Sequence, residues 1–261
     1  KSEKILRYSA PNIILFNLIA ASNAGLKNWD HAIENFKSVL EMNPQDAMAY
    51  YNIGNIYKEK GEYDASINNY KKAILIQPDH VFSHNNMGSV LKDKGNLEAA
   101  IEQFEITLSI KPDFALAHYN LGVALQELGD LKASVKSYQK ACEIKPDYFK
   151  AFFNMGNALR DIGDLIAAVD TYRKVMIIKP DHAETHVNLA IALQNMGDLD
   201  AAINSFEKAL KIKPDYEQAY SNMGVAHQEK GDLDAAIYCY KKAIDINPNY
   251  VASYNNMGNS L

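Results

Sequence analysis

Two pairs of histidines have a spacing that can bind zinc on a helix. His80 and His84 are four residues apart, as are His182 and His186, so each pair would project from one helical face. The same residues also have a structural interpretation, because His84 and His186 stand at places where the chain elsewhere carries a flat ring such as Tyr220. We therefore predict that these imidazoles pack as rings and that the chain binds no metal or other cofactor.

The remaining reactive residues form no recognisable catalytic pattern. Cys142 and Cys239 are far apart in the sequence and neither is paired with a histidine, so we interpret both as packing residues. The sequence contains no glycine-rich phosphate loop, nucleophile elbow or recurring pair of acids. We therefore predict that this chain is not an enzyme and has no catalytic residues.

A row of asparagines at 34-residue intervals is the third chemical feature. Its members are Asn52, Asn86, Asn120, Asn154, Asn188, Asn222 and Asn256, and Leu18 stands at the corresponding place nearest the N-terminus. Asparagine is a mediocre helix former, but its amide offers both hydrogen-bond donors and an acceptor. The row would therefore suit the backbone of an extended peptide whatever its side chains. Alternatively, each amide bonds to a neighbouring helix of the protein, and the sequence leaves both interpretations open.

The elements that position these residues form an internal repeat. Seven of the eight prolines are spaced 34 residues apart, at Pro44, Pro78, Pro112, Pro146, Pro180, Pro214 and Pro248. We number each repeat from the residue equivalent to Ile13, which places proline at position 32 and the asparagine row at position 6. Apolar residues recur at helical spacing on both sides of a glycine at position 15, so each repeat is predicted to be a helical hairpin.

Small and aromatic residues also recur within the hairpin. Position 8 is glycine in most repeats, with Ala20 and Ala190 as exceptions, and position 24 is always aromatic. Glycine in mid-helix costs about 1 kcal/mol relative to alanine, so its recurrence indicates close packing. One hairpin cannot bury both of its faces, and we therefore predict an all-α solenoid of stacked hairpins.

The repeat frame sets the predicted domain boundaries. The seven complete units are 13–46, 47–80, 81–114, 115–148, 149–182, 183–216 and 217–250. Residues 1–12 are predicted to be a degenerate capping helix, because Pro11 lies one residue out of frame. Residues 251–261 are predicted to be the first helix of a truncated eighth unit, and we expect the natural protein to continue beyond Leu261.

A hairpin of 34 residues with small residues at positions 8 and 20, an aromatic at 24 and proline at 32 resembles the tetratricopeptide repeat (TPR). The resemblance covers Ile13 to Leu261 and implies a right-handed superhelix whose first helices line a concave groove. Departures are few: Lys27 replaces glycine at position 15, and Val39, Thr107 and Val175 replace the small residue at position 27. The asparagine row resembles that of the superhelical repeats in the O-linked N-acetylglucosamine transferases.

In the geometry that this resemblance implies, positions 2, 5, 6, 9, 12 and 13 of the first helix face the groove. Besides the seven asparagines, the predicted peptide-binding residues are Tyr51, Tyr119, Phe153, Lys58, Lys92 and Arg160. A core role for the three rings is the alternative. Position 6 is never basic, so the carboxylate clamp of the co-chaperone branch of the family is not expected here.

Composition and charge exclude several classes of protein. With 48% hydrophobic and 23% charged residues, the chain is too apolar for a disordered tail, and no apolar stretch approaches the ~20 residues of a membrane-spanning helix. A net charge of -5 disfavours binding to a nucleic-acid backbone. The unpaired cysteines and the lack of a signal peptide favour a cytoplasmic location.

These observations predict a non-catalytic scaffold that binds a protein or an extended peptide segment in its groove. The alternative is the substrate-recognising arm of a larger transferase whose catalytic domain lies outside this chain. Self-association through the terminal repeat is a further hypothesis, whereas nucleic acids and membranes are not expected partners.

Overall fold

The computed structural model describes residues 13–259 as fifteen α-helices without a β-strand, which confirms the predicted all-α class. The predicted capping helix in residues 1–12 lies outside the described residues. The chain divides into two compact units, residues 1–128 and 129–261. We call them the N-terminal unit and the C-terminal unit and describe each by itself.

The helices in both units have nearly uniform lengths. In the N-terminal unit they are α1 (Ile13–Gly25), α2 (Trp29–Met42), α3 (Ala47–Glu59), α4 (Tyr63–Ile76), α5 (Val81–Asp93), α6 (Leu97–Ile110) and α7 (Ala115–Leu128). In the C-terminal unit they are α8 (Leu131–Ile144), α9 (Phe149–Ile162), α10 (Leu165–Ile178), α11 (Ala183–Asn195), α12 (Leu199–Ile212), α13 (Glu217–Lys230), α14 (Leu233–Ile246) and α15 (Val251–Gly258). Among residues 13–259, no helix combines the length and apolar character needed to cross a bilayer.

Each hairpin packs against the next one in the same unit. In the N-terminal unit α1 pairs with α2, α3 with α4 and α5 with α6, while α2 contacts α3, α4 contacts α5 and α6 contacts α7. The first helices also contact each other, α3 with α5 and α5 with α7. In the C-terminal unit, α9, α11, α13 and α15 form the corresponding row of first helices. The first helices therefore form one layer within each unit.

The glycine at position 15 ends the first helix of its hairpin. Gly163 has a φ of 92° and Gly231 a φ of 86°, in the left-handed region that only glycine adopts without strain. The following residue begins the next helix, as when the Asp164 carboxylate accepts a hydrogen bond of 3.2 Å from the Ala167 backbone N–H. Lys27 adopts the same left-handed conformation, with a φ of 60°, although it has a side chain.

The left-handed conformation of Lys27 is strained, so replacing this residue with glycine is expected to stabilise the protein. Lys27→Gly is expected to raise the free energy of unfolding by roughly 0.5–1 kcal/mol, since glycine removes the clash of Cβ with the backbone but loses more entropy on folding. Urea denaturation followed by far-UV circular dichroism measures the change. Lys27→Ala keeps the strained φ and is the matched control. An equal stabilisation in both variants would show that the lysine charge, rather than its backbone conformation, was responsible.

The glycine at position 8 packs against the aromatic ring at position 24. A Cβ added to Gly54 would lie 2.6 Å from Tyr70 Cε1, and one added to Gly156 would lie 2.6 Å from Tyr172 Cε1. Both rings are fully buried. Their burial raises the tyrosine pKa values well above the ordinary range of this side chain. Close packing of ring on backbone is therefore the physical reason for the recurring mid-helix glycine.

Lysines at position 14 tie neighbouring hairpins together at the surface. Lys60 Nζ lies 3.1 Å from the carboxylate of Asp30, and the hydrogen bonds that the ammonium group donates to Glu62 and Asp30 raise the lysine pKa. The same pairing, thirty residues apart, joins Lys94 to Asp64. Because these side chains are exposed, water and salt screen the attraction between them. We therefore expect these ion pairs to align neighbouring hairpins but to contribute little to the free energy of unfolding.

Candidate functional site

The predicted binding residues lie on the layer of first helices. We define the first-helix face as the residues at positions 2, 5, 6, 9, 12 and 13 of the first helices, taken separately in each unit. The contacts between successive first helices bring position 6 of one helix close to position 9 of the preceding one, as hydrogen bonds between them show. The face is therefore continuous within each unit.

Part of the asparagine row bonds to neighbouring repeats in the N-terminal unit. The Asn86 amide donates a hydrogen bond of 2.9 Å to Asn55 Oδ1, and the Tyr70 hydroxyl donates one of 2.7 Å to the same oxygen. Asn120 donates a hydrogen bond of 3.1 Å to Asn85 Oδ1 in the preceding first helix. These amides join adjacent repeats, as the structural interpretation of the row predicts.

The C-terminal unit repeats the arrangement around Asn157. Its Oδ1 accepts a hydrogen bond of 2.9 Å from the Asn188 amide and another of 2.8 Å from the Tyr172 hydroxyl. A buried tyrosine hydroxyl needs such a partner, and asparagine at position 9 supplies it. Asn154 and Asn256 also have interactions of their own within the protein.

Asn52 and Asn222 differ from the rest of the row. Among residues 13–259, neither amide has a hydrogen-bond partner in the protein, although both are only partly exposed. One difference lies at position 9 of the preceding repeat, 31 residues earlier, which is Ala21 before Asn52 and Ile191 before Asn222 but asparagine before Asn86 and Asn188. The side chains of Ala21 and Ile191 cannot accept a hydrogen bond. Asn52 and Asn222 therefore lack the partner that Asn55 and Asn157 provide to Asn86 and Asn188, and their amides remain available to a ligand.

Asn52 lies in the wall of a cleft between α1 and α3. The cleft has a volume of about 250 Å³ and is lined by Ala21, Ala24, Trp29, Phe36, Asn52, Asn55, Ile56 and Glu59. It exists because α1 carries Ala21, Ala24 and Gly25 at positions 9, 12 and 13, where α3 carries longer side chains. The result is a mainly apolar space beside an amide without a partner, next to the single tryptophan of the chain.

The predicted groove rings are shared between the face and the core. Tyr51 contacts the edge of His80 with ring centroids 5.1 Å apart, and Phe153 contacts His182 at the same distance. Tyr119 also has interactions within the protein. Each of these three rings is partly exposed. The two interpretations of these rings are therefore compatible, because one edge packs while the rest remains accessible.

The predicted groove cations are already paired within the protein. Lys58 Nζ donates a hydrogen bond of 3.3 Å to the Ser89 hydroxyl, and Arg160 lies 2.9 Å from the Asp161 carboxylate. Lys92 lies 2.9 Å from the carboxylate of Asp93; burial opposes its charge, but the pairing outweighs that effect and raises the lysine pKa. Each of the three predicted cations therefore has a partner within the protein.

Position 2 contributes residues that the sequence analysis did not single out. In the N-terminal unit it is apolar and substantially exposed: Met48 and Phe82 are each 51% exposed and Leu116 is 41% exposed. In α9, α11 and α13 of the C-terminal unit the same position is Lys150, Glu184 and Gln218. Aligning the repeats at position 2 would have revealed this difference. It means that the edge of the first-helix face is apolar in one unit and polar in the other.

The histidines of both pairs form hydrogen bonds with nearby groups of the protein. His80 Nδ1 lies 2.7 Å from the Ser83 hydroxyl and accepts a hydrogen bond of 3.2 Å from the Ser83 backbone N–H, so this imidazole caps α5. His182 Nδ1 lies 2.8 Å from the Thr185 hydroxyl at the start of α11. His84 Nε2 lies 3.0 Å from the Pro78 carbonyl oxygen. In the part of the chain that the structure describes, no group of three histidine, cysteine or acidic residues is arranged to hold a metal ion.

The histidines that precede α5 and α11, His80 and His182, predict acid sensitivity. Burial lowers the pKa of His80 and of His182 below the ordinary value of 6.5, against the opposing effects of Asp79 on His80 and of Glu184 on His182. A histidine with a lowered folded-state pKa contributes stability that is fully present above pH 6.5 and is lost as the pH falls through the folded-state value. The melting temperature of His80→Tyr/His182→Tyr is therefore expected to fall less below pH 6.5 than that of the parent. Parallel pH dependence in scanning calorimetry would contradict this assignment.

The two cysteines are buried thiols. Burial raises the pKa of Cys142 to about 12 and that of Cys239 to about 11. Both are protonated at neutral pH, and a protonated thiol is a poor nucleophile and metal ligand. Their burial is consistent with the interpretation of both cysteines as packing residues.

Stacked helical hairpins with a small residue at position 8, a ring at position 24 and a left-handed glycine at position 15 define an all-helical repeat protein. The chain belongs to the tetratricopeptide repeat family. A family model described as TPR repeat matches residues 26–60, 54–94, 88–129 and 124–161, and one described as Tetratricopeptide repeat matches residues 147–215 and 181–249. Proteins of this family generally mediate protein–protein interactions.

Several solved structures share this fold. The crystal structure of MamA protein is 27% identical with a TM-score of 0.62, and the similarity covers 64% of this chain and 92% of MamA. The C-terminal part of a TPR repeat-containing protein from Cytophaga hutchinsonii is 16% identical with a TM-score of 0.78, covering 94% of this chain and 99% of that one. YrrB, described as a TPR protein with an unusual peptide-binding site, is 22% identical with a TM-score of 0.65, covering 74% and 98%. The last two similarities show the fold alone.

A curated relative is similar over a shorter stretch. The protein FK506-binding protein 5 from Rhizopus delemar is 44% identical over 46 residues, which is 18% of this chain and 12% of that protein. The match therefore spans about an eighth of the relative. The more specific resemblance of the asparagine row to the O-linked N-acetylglucosamine transferases stays a prediction.

Proposed function

We propose that this chain is a non-catalytic scaffold that binds an extended peptide segment of a partner protein on its first-helix face. The observation that carries the proposal is Asn52, whose amide has no partner among residues 13–259 and borders an apolar cleft of about 250 Å³. A partly buried amide without a partner loses hydrogen bonds that water made in the unfolded chain. A peptide backbone would restore them.

The chemistry of the cleft fits one residue of such a peptide. The Asn52 amide can donate a hydrogen bond to a peptide carbonyl and accept one from a peptide N–H. These hydrogen bonds would recognise the peptide backbone irrespective of its side chains. Trp29, Phe36 and Ile56 provide apolar surface for one side chain of the bound segment. Asn222 offers an equivalent amide in the C-terminal unit. The face would therefore combine backbone recognition with an apolar anchor.

The edges of the face suggest what kind of segment each unit accepts. Exposed Met48, Phe82 and Leu116 in the N-terminal unit favour an apolar edge of the ligand, because their burial removes apolar surface from water. Lys150 and Glu184 in the C-terminal unit favour a polar ligand instead. We infer that a segment bound to the N-terminal unit carries apolar side chains along one edge.

Selection from a phage-displayed library of random dodecapeptides tests the proposal. Trp29 is the only tryptophan, so its fluorescence reports occupation of the cleft by a selected peptide. Asn52→Ala is expected to weaken binding about threefold to tenfold, which corresponds to one or two net hydrogen bonds. Asn222→Ala is expected to weaken peptides that bind the C-terminal unit by a similar factor.

Asparagines exposed on second helices provide the matched controls. Asn68→Ala and Asn204→Ala remove the same amide from outside the first-helix face and are expected to leave binding unchanged. Equal losses in the control and test variants would contradict the proposal. So would selected peptides that bind without changing the Trp29 fluorescence and are insensitive to both Asn52 and Asn222.

The alternative role uses the same face. As the substrate-recognising arm of a larger transferase, the chain would bind segments of the substrate protein through the asparagine row. The asparagines at positions 52 and 222 support this role as well as they support the scaffold. The full sequence of the natural protein separates the two roles, since only the transferase role requires a catalytic domain outside this chain. Self-association through α15, where Val251 is 66% exposed, likewise stays a hypothesis.

A further inference from the structure

A second cleft lies in the N-terminal unit between α2, α3 and α4, away from the first-helix face. It has a volume of about 320 Å³ and is lined by Lys37, Leu40, Tyr50, Ile53, Tyr57, Asn69 and Lys72. None of these residues stands at a position of the first-helix face. The cleft is therefore separate from the proposed peptide site.

The lining of this cleft carries two positive charges and no negative charge. Among residues 13–259, neither Lys37 nor Lys72 has a carboxylate within 4 Å, in contrast to Lys60, Lys92 and Lys94. Lys72 Nζ lies 5.3 Å from the centroid of the Tyr50 ring. Both lysines line the same cleft, so an anion bound there would be attracted by two positive charges.

The interior of the cleft is apolar and aromatic. Ile53 is 3% exposed and Leu40 is half-buried, while the rings of Tyr50 and Tyr57 are partly exposed. The volume is at the lower end of the ~300–1,000 Å³ that is usual for ligand pockets, which suits a single side chain rather than a large cofactor. An anion on an aromatic stem would match the charges and the apolar interior together.

A cleft at the equivalent place in a later repeat allows a comparison of the two linings. Three repeats later, a cleft of about 380 Å³ between α8, α9 and α10 has Gln139 in place of Lys37, Phe152 in place of Tyr50 and Leu159 in place of Tyr57. It keeps a lysine, Lys174, and its lining includes Glu143, whose counterpart Glu41 stands at the same repeat position but does not line the first cleft. The pair of unpaired lysines is therefore not a requirement of hairpin packing, because the equivalent cleft forms without it.

We propose that the cleft between α2, α3 and α4 binds an anionic aromatic group of the class of a phosphorylated tyrosine side chain on a partner protein. The ring would lie on Leu40 and Ile53 beside the tyrosines, and the phosphate would lie between the ammonium groups of Lys37 and Lys72. Lysine binds phosphate as a compact point charge that its flexible stem can bring into position. Because both lysines are exposed, binding weakens as the salt concentration rises.

Titration with phenyl phosphate, followed by ¹H–¹⁵N correlation NMR, tests the proposal. Saturable shifts are expected for backbone amides of α2, α3 and α4 and not for those of α8, α9 and α10. Lys37→Gln, which introduces the residue of the equivalent cleft, is expected to weaken binding about threefold to fivefold, as is Lys72→Gln. Lys174→Gln is the matched control and is expected to leave the affinity unchanged.

Three further probes separate the contributions of ring and charge. Phenol lacks the charge, inorganic phosphate lacks the ring, and benzoate carries a single negative charge; each is expected to bind at least about threefold more weakly than phenyl phosphate. Equal binding of any of them overturns the proposal, as do shifts spread over all surface lysines. Peptides selected for the first-helix face are expected not to compete with phenyl phosphate, so either proposal can fail without the other.

Discussion

Tyr172→Ala is expected to lower the free energy of unfolding by about 4 kcal/mol. The ring is fully buried in the C-terminal unit, packs on Gly156 and donates its hydroxyl hydrogen bond to Asn157 Oδ1. Removing a buried aromatic side chain costs roughly 3–5 kcal/mol, because both apolar contact and packing volume are lost. Urea denaturation followed by far-UV circular dichroism measures the loss.

Tyr172→Phe is the matched control because it removes only the hydroxyl. Asn157 Oδ1 would keep its hydrogen bond from the Asn188 amide, so the expected loss is about 1 kcal/mol. Since stability in repeat proteins is largely a sum over neighbouring units, hydrogen exchange should accelerate most in α9, α10 and α11. A loss in Tyr172→Ala no larger than that in Tyr172→Phe would contradict the assignment of this ring to the core.

Gly54→Val is expected to lower the free energy of unfolding by about 3 kcal/mol. Even the first carbon of the new side chain would lie 2.6 Å from Tyr70 Cε1 and 2.7 Å from Cδ1, inside van der Waals contact. The ring is held by surrounding side chains and by the hydrogen bond from its hydroxyl to Asn55. Overpacking of this kind typically costs 1–3 kcal/mol. The midpoint of urea denaturation is the measurement.

The chain itself suggests the control for this substitution. Ala20 and Ala190 replace the glycine in repeats whose position-24 residue is a phenylalanine, Phe36 and Phe206, which has no hydroxyl tether, although the third phenylalanine, Phe104, still faces Gly88. The double variant Gly54→Ala/Tyr70→Phe should therefore lose less stability than the sum of its single substitutions, because the untethered ring can shift away from the methyl group. Strict additivity would show that the hydroxyl does not hold the ring in place.

The expected stability losses and the proposed binding functions depend on the same network. Asn55 and Asn157 hold the tyrosine hydroxyls and also engage Asn86 and Asn188. Substituting an engaged asparagine would therefore change stability and binding together. Asn52 and Asn222 are better probes of function, because their amides take part in no such network among the described residues.

Much of the fold was predictable because the residues that recur in each repeat are those that the backbone requires at helix ends. Proline at position 32 and glycine at position 15 restrict the backbone at helix ends, so their period marks the hairpins wherever the helices pack. The helix start at Phe149 and the left-handed Gly163 follow from these requirements. The all-helical class and the family follow from the same signals, since seven copies repeat them.

The candidate site was predictable only in part. Position 6 was identified as a row of amides, but whether a given amide is engaged depends on a residue of a different repeat, as Asn86 depends on Asn55 and Asn120 on Asn85. That residue is distant in the sequence, and only packing brings it near. The cations at Lys58, Lys92 and Arg160 were predicted as ligand contacts, yet each is paired within the fold. The sequence does not show which groups lie close together in space, so the pairing of these cations can be known only from the three-dimensional structure.

The sequence by itself determined the helical hairpins, their period and their membership in the tetratricopeptide repeat family, because helix starts, helix stops and apolar spacing are local properties of the chain. Only the tertiary structure decided which asparagines, lysines and rings remain available. The short side chains of α1 open a cleft beside Asn52, and the packing of α3 against both α2 and α4 brings Lys37 and Lys72 around one cavity. These properties depend on the distances between helices, which no single segment of the chain encodes.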